Sequence, residues 1–182
     1  AGGMGSAIAR AFAAEGRALV LTDLHPAPLE AVAAELRENV PVAIVPGDLT
    51  DPAVMEQIWT ALDGRRIGVL AHAAGVSPSM ADGRRVFAIN FTATQRLVEA
   101  ALPRMAPGGT AILIASNSGQ MVANPLIDHA VRKVLRGKGS LLAWLMLRSP
   151  RGAYPLSKRA VQLYVPMMAP AFGKVGARIV SL

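Results

Sequence analysis

The sequence AGGMGSAIARAFAAEGRALVLTD, residues 1–23, carries the signals of a glycine-rich turn, a helix and a strand in that order. Ala1-Gly2-Gly3-Met4-Gly5-Ser6 predicts the turn, because glycine adopts backbone conformations that other residues avoid. Apolar residues then recur at helical spacing up to Gly16, which suits the end of a helix: Ile8, Ala9, Phe12 and Ala13. Residues 17–22 predict a buried parallel strand that ends at Asp23.

This order of elements favours a nucleotide-binding site. A glycine turn that opens a helix lets backbone N–H groups approach a phosphate at the positive end of the helix. An acid about 20 residues later, at the end of the next strand, suits the ribose hydroxyls of NAD, and Asp23 stands there. Because Ile8 replaces the third glycine of G-x-G-x-x-G, an ordinary loop before a helix remains the alternative.

The alternation of strands and helices continues along the chain. Apolar spacing predicts helices at 28–38, from 51–52 onward, at about 84–102 and from Pro155, and strands at 42–45, 67–71, 110–115 and 177–182. Such alternation predicts an α/β fold: a three-layer, doubly wound parallel sheet with helices on both faces. No repeat or linker interrupts the sequence, so we expect one domain over 1–182.

Polar or small residues follow four of the predicted strands. They are Asp23, Asp48, Gly75 and Ser116. Ligands bind to such sheets at the carboxyl ends of the strands. We therefore expect these residues to lie along one edge of the sheet and to line the site.

Tyr154-Pro155-Leu156-Ser157-Lys158 places a phenol and an ammonium on one face of a helix that we expect to begin at Pro155. A phenol has a pKa of about 10, and a nearby ammonium lowers it. Tyr154 could then exchange a proton with an alcohol or ketone oxygen. The alternative is a chance pair on a solvated helix.

The composition excludes several classes of site and partner. The 182 residues are 52% hydrophobic and include no cysteine, which rules out disulfides and thiolate metal sites. Three scattered histidines give no metal cluster, so we expect no metal. The net charge of +7 is spread along the chain without an aromatic–basic module, so we expect no nucleic-acid partner.

The sequence shows no sign of membrane insertion or secretion. The longest strongly apolar run, 141–147, is too short to span a bilayer. We see no signal peptide. These features predict a cytoplasmic protein without a membrane partner.

Together, these motifs resemble the short-chain dehydrogenase/reductase family, and the resemblance covers nearly the whole chain. Gly3-Met4-Gly5 fits the last three positions of the family's T-G-x-x-x-G-x-G turn. Asp23, followed by Leu24, matches the acid that favours NAD over NADP, and Asp48-Leu49 matches the pair that meets the adenine. His72-Ala73-Ala74-Gly75 stands in place of N-N-A-G, with His and Ala replacing the two Asn residues.

The resemblance also implies a catalytic tetrad of Asn90, Ser116, Tyr154 and Lys158. In the family's mechanism the tyrosine is the general acid/base, and the lysine lowers its pKa and holds the nicotinamide ribose. The serine orients the substrate oxygen, and the asparagine keeps a water that links the lysine to solvent. The family thus implies an NAD-dependent oxidoreductase that acts on a small-molecule alcohol or ketone.

Two spacings suggest a subgroup. Only 15 residues separate Gly75 from Asn90, whereas 38 separate Ser116 from Tyr154. A short fourth-helix region and an insertion at about 121–150 are similar to bacterial 3α-hydroxysteroid dehydrogenase/carbonyl reductase. The subgroup implies a helical insertion that lies over the site or at a subunit contact, in a homodimer or homotetramer.

Two further expectations concern the sheet and the function. The family's first strand and its last strand lie outside this sequence, so we expect a longer protein and no direct pairing between the strands at 18–22 and 67–71. The alternative function is a non-catalytic dinucleotide-binding regulator of the same fold. A charge-driven nucleic-acid binder is a third reading, which rests on the net charge alone.

Overall fold

The computed structural model describes residues 2–182 and has a Rossmann-like α/β fold of parallel strands and helices, as predicted. The chain divides into two compact units, the first ending at Arg66 and the second covering Ile67–Leu182. The single domain over 1–182 stays a prediction.

Helices and strands alternate through most of the described chain. The helices are α1 Gly3–Ala14, α2 Pro26–Arg37, α3 Pro52–Ala61, α4 Gly83–Phe87, α5 Ala93–Ala101, α6 Asn117–Met121, α7 Pro125–Leu135, α8 Leu141–Met146 and α9 Pro150–Lys174. The strands are β1 Leu19–Asp23, β2 Val42–Pro46, β3 Ile67–His72, β4 Met105–Leu113 and β5 Arg178–Ser181. Residues 88–92 form a π-helical turn between α4 and α5, and 102–104 form a 3₁₀ turn.

In the first unit, β1 and β2 pair in parallel, with Leu19 opposite Val42. The buried side chains of Ala9, Ala13 and Leu36 form a core between α1, α2 and these strands. All five residues of β1 are half-buried rather than buried, which corrects the prediction of a buried strand. Among the described strands β1 pairs only with β2, so its other edge gains no shielding from a hydrogen-bonded neighbour.

The start of α1 also differs from the prediction of a turn over residues 1–6. The helix already begins at Gly3, and the amide of Ser6 donates to the Gly2 carbonyl at 2.9 Å. Gly3, Met4 and Gly5 therefore belong to the first helical turn, and Ala1 lies outside the described residues. Glycine is a poor helix former, and the buried side chains of Ala9 and Ala13 pack the following turns of α1 into the core.

In the second unit, three parallel strands pair in the order β3-β4-β5. β1 and β3 belong to different sheets, in agreement with the prediction that the strands at 18–22 and 67–71 do not pair directly. Ala111 and Leu113 of β4 are fully buried, as are Leu156 and Tyr164 of α9. α9 packs against α4, α6, α7 and β5, which makes this helix the common support of the second unit.

The helix predicted over 84–102 exists but is interrupted by the π-helical turn at 88–92. Asn90 lies in the middle of that turn and is buried. A π-helical turn inserts an extra residue, which shifts the faces of the helix and often occurs at functional sites. Asn90 thus lies where the helix is irregular.

The last helix begins five residues earlier than expected, at Pro150, where the hydroxyl of Ser149 accepts a hydrogen bond from the Gly152 amide. Pro155, Pro166 and Pro170 all lie inside it, although proline usually ends or kinks a helix. Pro166 and Pro170 are exposed, so water can satisfy the carbonyls that lose their partners. Burial of the opposite face keeps α9 continuous.

The segment 121–150, which we predicted to be an insertion, is partly helical, as expected, and contains α7 and α8. α8 leaves several apolar side chains exposed, including Leu141 at 73%, Leu145 at 47% and Trp144 at 44%. Within residues 2–182, no helix is both long enough and apolar enough to cross a bilayer.

Candidate active site

Tyr154 and Lys158 lie four residues apart on α9, with the Lys158 ammonium 5.8 Å from the centre of the Tyr154 ring. Lys158 is a buried residue, and its Nζ donates to the Ile114 carbonyl just after β4, at 2.9 Å. Burial lowers the pKa of Lys158 below its usual value. One helix therefore presents both groups of the predicted acid/base pair, and the end of β4 holds the lysine.

Asn90 and Gly75 lie beside this pair. A methyl group at Gly75 would come within 3.1 Å of Asn90 Oδ1 and 3.9 Å of Lys158 Nζ. The Asn90 side chain binds the loop after β3: its Oδ1 accepts from the Val76 amide at 2.7 Å, and its Nδ2 donates to the Val76 carbonyl at 2.9 Å. Gly75, Asn90 and Lys158 are thus brought together, with glycine where a larger residue would crowd the amide.

His72 supports Asn90 from the end of β3. Its Nε2 lies 2.8 Å from the Thr94 hydroxyl, which donates to the Asn90 carbonyl at 3.0 Å. Because Thr94 donates its proton to that carbonyl, it accepts from an Nε2–H of His72. Burial, and next the charge of Lys158, lower the pKa of His72 to about 4. The histidine that replaces the family's asparagine is therefore neutral and contacts Asn90 through Thr94.

Ser116 is the N-cap of α6 and lies three residues after the end of β4. Its hydroxyl oxygen accepts hydrogen bonds from the Ser118 amide at 3.2 Å and the Ser118 hydroxyl at 3.0 Å. An oxygen that accepts both bonds can still donate its own proton, as an orienting residue must. We predict that the Ser116 and Tyr154 hydroxyls converge on one substrate oxygen.

The sequence did not predict the contacts that hold Ser116 against α9. The amide of Gln162 donates to the Ser116 carbonyl at 3.1 Å. Gly119 approaches α9 so closely that a methyl group there would lie 2.8 Å from the Arg159 nitrogen and 2.9 Å from the Lys158 carbonyl carbon. The only sign of this close approach in the sequence was Gly119, the small residue at the end of Ser116-Asn117-Ser118-Gly119.

The predicted cofactor-binding residues of the first unit lie at the start of α1, at the end of β1 and after β2. Gly3 and Gly5 have open space where a side chain would be. The first turn of α1 contains no acid, so the positive end of the helix is not neutralised there. These features suit a phosphate at the start of α1.

The ends of β1 and β2 are tied together, because the Gly47 amide donates to the Asp23 carbonyl at 2.9 Å. The Asp23 carboxylate accepts from the His25 amide at 3.0 Å, and Leu24 between them is exposed. The Asp48 carboxylate accepts both the amide and the hydroxyl of Thr50 at 2.8 Å, and Leu49 is half-buried. The Asp23 and Asp48 loops are therefore neighbours, as a nucleotide-binding edge requires.

In the second unit, Ala73, Ala74 and Gly75 follow β3. Ala74 and Gly75 are exposed and Ala73 is half-buried. Small side chains leave room there for a flat ligand beside Lys158. The assignment of these residues to cofactor binding stays a prediction.

Comparison with known proteins gives a family. The sequence model of a family described as "Enoyl-(Acyl carrier protein) reductase" matches residues 1–134. The chain is 36% identical over 136 residues to "Oxidoreductase UcpA" of Escherichia coli (strain K12), a match that covers 68% of this chain and 51% of the relative. It is 30% identical over 161 residues to "1-deoxy-11-beta-hydroxypentalenate dehydrogenase" of Streptomyces arenae, which covers 75% and 56%. The chain spans about half the length of the curated relatives it matches.

Solved structures agree on the fold. A 3-ketoacyl-ACP reductase from Sinorhizobium meliloti 1021 superposes with a TM-score of 0.75 at 18% identity, over 98% of this chain and 66% of that one. A dehydrogenase/reductase from the same organism gives a TM-score of 0.73 at 26% identity, over 98% and 67%. At 18% identity the first match shows the fold alone.

Proposed function

The chain belongs to the short-chain dehydrogenase/reductase family, and we propose that it interconverts a secondary alcohol and a ketone with NAD(H) as cofactor. The single observation that carries the proposal is the arrangement on α9. There Tyr154 and the nearly buried Lys158 lie four residues apart, beside Gly75 and Asn90.

Tyr154 is the proposed general acid in reduction and general base in oxidation. When bound, the nicotinamide supplies or accepts the hydride. The Tyr154 hydroxyl gives its proton to the carbonyl oxygen as the ketone is reduced, and the Tyr154 phenolate takes the hydroxyl proton as the alcohol is oxidised. The Lys158 ammonium stabilises the phenolate form, and the Ile114 carbonyl holds that ammonium at 2.9 Å.

Ser116 and Asn90 have supporting roles in this proposal. Ser116 donates a hydrogen bond to the substrate oxygen and so orients it toward Tyr154. The Asn90 side chain is occupied by the Val76 backbone, which supports a role in holding the loop after β3. We also propose that Asn90 holds a water that links Lys158 to solvent.

Asp23 is the basis for proposing NAD rather than NADP. Its carboxylate ends β1, where it can accept hydrogen bonds from both ribose hydroxyls and would repel a 2′-phosphate. The neighbouring Leu24 offers no charge to compensate for that repulsion.

The substrate is proposed as a small hydroxy or carbonyl compound, and more narrowly a hydroxysteroid or similar cyclic ketone. The two spacings around Gly75 and Tyr154 support the narrower class. The Streptomyces arenae relative is named as the dehydrogenase of a hydroxylated compound, which supports the broader one. We further propose a homodimer or homotetramer, supported by the exposed apolar side chains of α8.

Tyrosine substitution tests the proposal, because both tyrosines of the chain lie on α9. Tyr154→Phe removes only a hydroxyl, so kcat should fall by about 10²-fold or more while cofactor affinity changes little. Tyr164→Phe is the matched control: its hydroxyl donates to the Gln95 carbonyl at 3.5 Å, away from the proposed chemistry. Steady-state kinetics with a panel of secondary alcohols and ketones would measure both variants.

Lys158 gives a separate readout in the same assay. Lys158→Met should raise the pH at which alcohol oxidation begins, since the phenol loses its nearest positive charge. It should also weaken cofactor binding. Full activity of Tyr154→Phe would overturn the assignment of the acid/base.

A further inference from the structure

Arg159, the residue after Lys158, joins α9 to the insertion. Its Nε donates to Asp128 Oδ1 and its Nη2 to Asp128 Oδ2, both at 2.7 Å. Asp128 lies in the first turn of α7. The two side chains are only 13% and 23% exposed, so water and salt screen this bidentate pair less than an exposed one. The pairing fixes α7 at the point where α9 carries the proposed acid/base.

The same guanidinium also contacts Gln120 and Gln162, and Gln162 binds the Ser116 carbonyl. Arg159 Nη1 lies 3.2 Å from Gln162 Oε1 and 3.4 Å from Gln120 Oε1. Arginine can only donate hydrogen bonds, so the Gln162 oxygen must face Arg159. The Gln162 nitrogen then faces the Ser116 carbonyl, to which it donates at 3.1 Å. Arg159 thereby determines which way the Gln162 amide points.

The charges favour this orientation. The hydrogen bonds and the charge of Arg159 lower the pKa of Asp128, so the carboxylate is ionised at neutral pH. Arg159 is held in one direction by Asp128 and polarises the amide that it contacts. In the series of hydrogen bonds from Asp128 through Arg159 and Gln162 to Ser116, each side chain thus determines the orientation of the next.

We propose that Asp128, Arg159 and Gln162 form a positioning relay that fixes the Ser116 carbonyl on α9 and so sets the direction of the Ser116 hydroxyl. The inference rests on the proposed function, because it gives Ser116 the orienting role. It makes the insertion a part of the catalytic geometry through Asp128. None of the three residues touches the reacting atoms; they act through Ser116.

Gln162→Glu separates positioning from packing. A glutamate of nearly the same shape still accepts from Arg159, but it cannot donate to the Ser116 carbonyl. We expect kcat to fall by about 10- to 100-fold, the scale for a displaced orienting group, with an unchanged Tm and an unchanged KM for the cofactor. Amide hydrogen exchange at 116–121 should become faster, because the loop loses its anchor to α9.

Asp128→Asn tests the far end of the relay, and Glu35→Gln is its matched control. Arg10 binds Glu35 through the same two atoms, Nε and Nη2, at 2.8 Å each, on an exposed part of the first unit. Asp128→Asn should lower kcat and speed exchange at 116–121, in the same direction as Gln162→Glu. Glu35→Gln should leave both unchanged.

The experiment distinguishes failure of the relay from failure of the proposed function. Hydrogen exchange at 116–121 in the full protein reports the anchor whether or not Tyr154 is the acid/base. Faster exchange in Gln162→Glu supports the relay even where Tyr154→Phe keeps full activity, which would overturn only the catalytic assignment. Wild-type exchange and wild-type kcat in Gln162→Glu would overturn the relay.

Discussion

Gly119→Ala should displace α6 from α9, and the structure determines how far. A methyl group at Gly119 would lie 2.8 Å from both the Arg159 nitrogen and Gln162 Oε1, and 2.9 Å from the Lys158 carbonyl carbon. Two of these atoms are helix backbone, which cannot rotate away. Ordinary contact requires about 3.5 Å, so α6 must move by roughly 0.7 Å or the α9 backbone must bend.

The displacement predicts both a loss of stability and a loss of activity. Overpacking of this kind costs about 1–3 kcal/mol. For a chain of this size, that loss corresponds to a fall in Tm of about 2–12 °C. Ser116 caps α6 and moves with it. A misplacement that approaches 1 Å can cost up to about 10²-fold in rate, so we expect kcat to fall by about tenfold or more.

Thermal unfolding followed by circular dichroism, together with kcat for a secondary alcohol, would measure these effects. Gly139→Ala is the matched control, because no atom lies within 4 Å of a methyl group there. That substitution should leave kcat unchanged and stabilise by up to about 1 kcal/mol. A Tm and a kcat equal to those of the wild type in Gly119→Ala would contradict the close contact between α6 and α9 at Gly119.

Two other substitutions test the first unit and the buried histidine. Asp23→Ala should narrow the preference for NADH over NADPH in kcat/KM, because the repulsion of the 2′-phosphate is removed; a wild type that prefers NADPH would contradict the cofactor proposal. His72 has a pKa of about 4 in the folded protein and about 6.5 when unfolded, so the unfolded chain binds more protons between these values. Its contribution to stability, up to roughly 3 kcal/mol, is complete above pH 6.5 and is lost as the pH falls toward 4. Chemical denaturation should therefore show that the free energy of unfolding falls less between pH 7 and pH 4.5 in His72→Gln than in the wild type. The exposed control His129→Gln should behave like the wild type.

The order of strands and helices followed from the sequence because hydrophobic periodicity is local. The same reasoning placed Asn90 and Lys158 on helices and Ser116 after a strand, but it began α9 one residue after Tyr154. Its errors occur where local preferences conflict with packing. Glycine at the start of α1 and proline inside α9 both disfavour helix, yet each helix is continuous because one of its faces is buried.

Long-range contacts of the site were beyond what periodicity can show. Gln162 is 46 residues from Ser116, and Arg159 is 31 residues from Asp128. Arginine and glutamine on a predicted helix most often face solvent, so neither residue type marks a site. The His72–Thr94 contact was equally hidden, although the histidine in place of the family's asparagine was a visible departure.

The early start of α9 has a mechanical consequence for Tyr154. A helix that began at Pro155 would leave Tyr154 at the cap position, where the backbone is not helical. Side chains four residues apart are neighbours only within a helix, so Tyr154 at the cap would not be held beside Lys158. Because α9 begins at Pro150, Tyr154 lies in the second helical turn, and its carbonyl accepts a hydrogen bond from the Ser157 hydroxyl at 2.7 Å. The cap residue Ser149 and the first turn of α9 both belong to the insertion or adjoin it. The insertion therefore supports the proposed acid/base from two directions: it supplies the start of the helix that carries Tyr154, and through Asp128 it anchors the residue that follows Lys158.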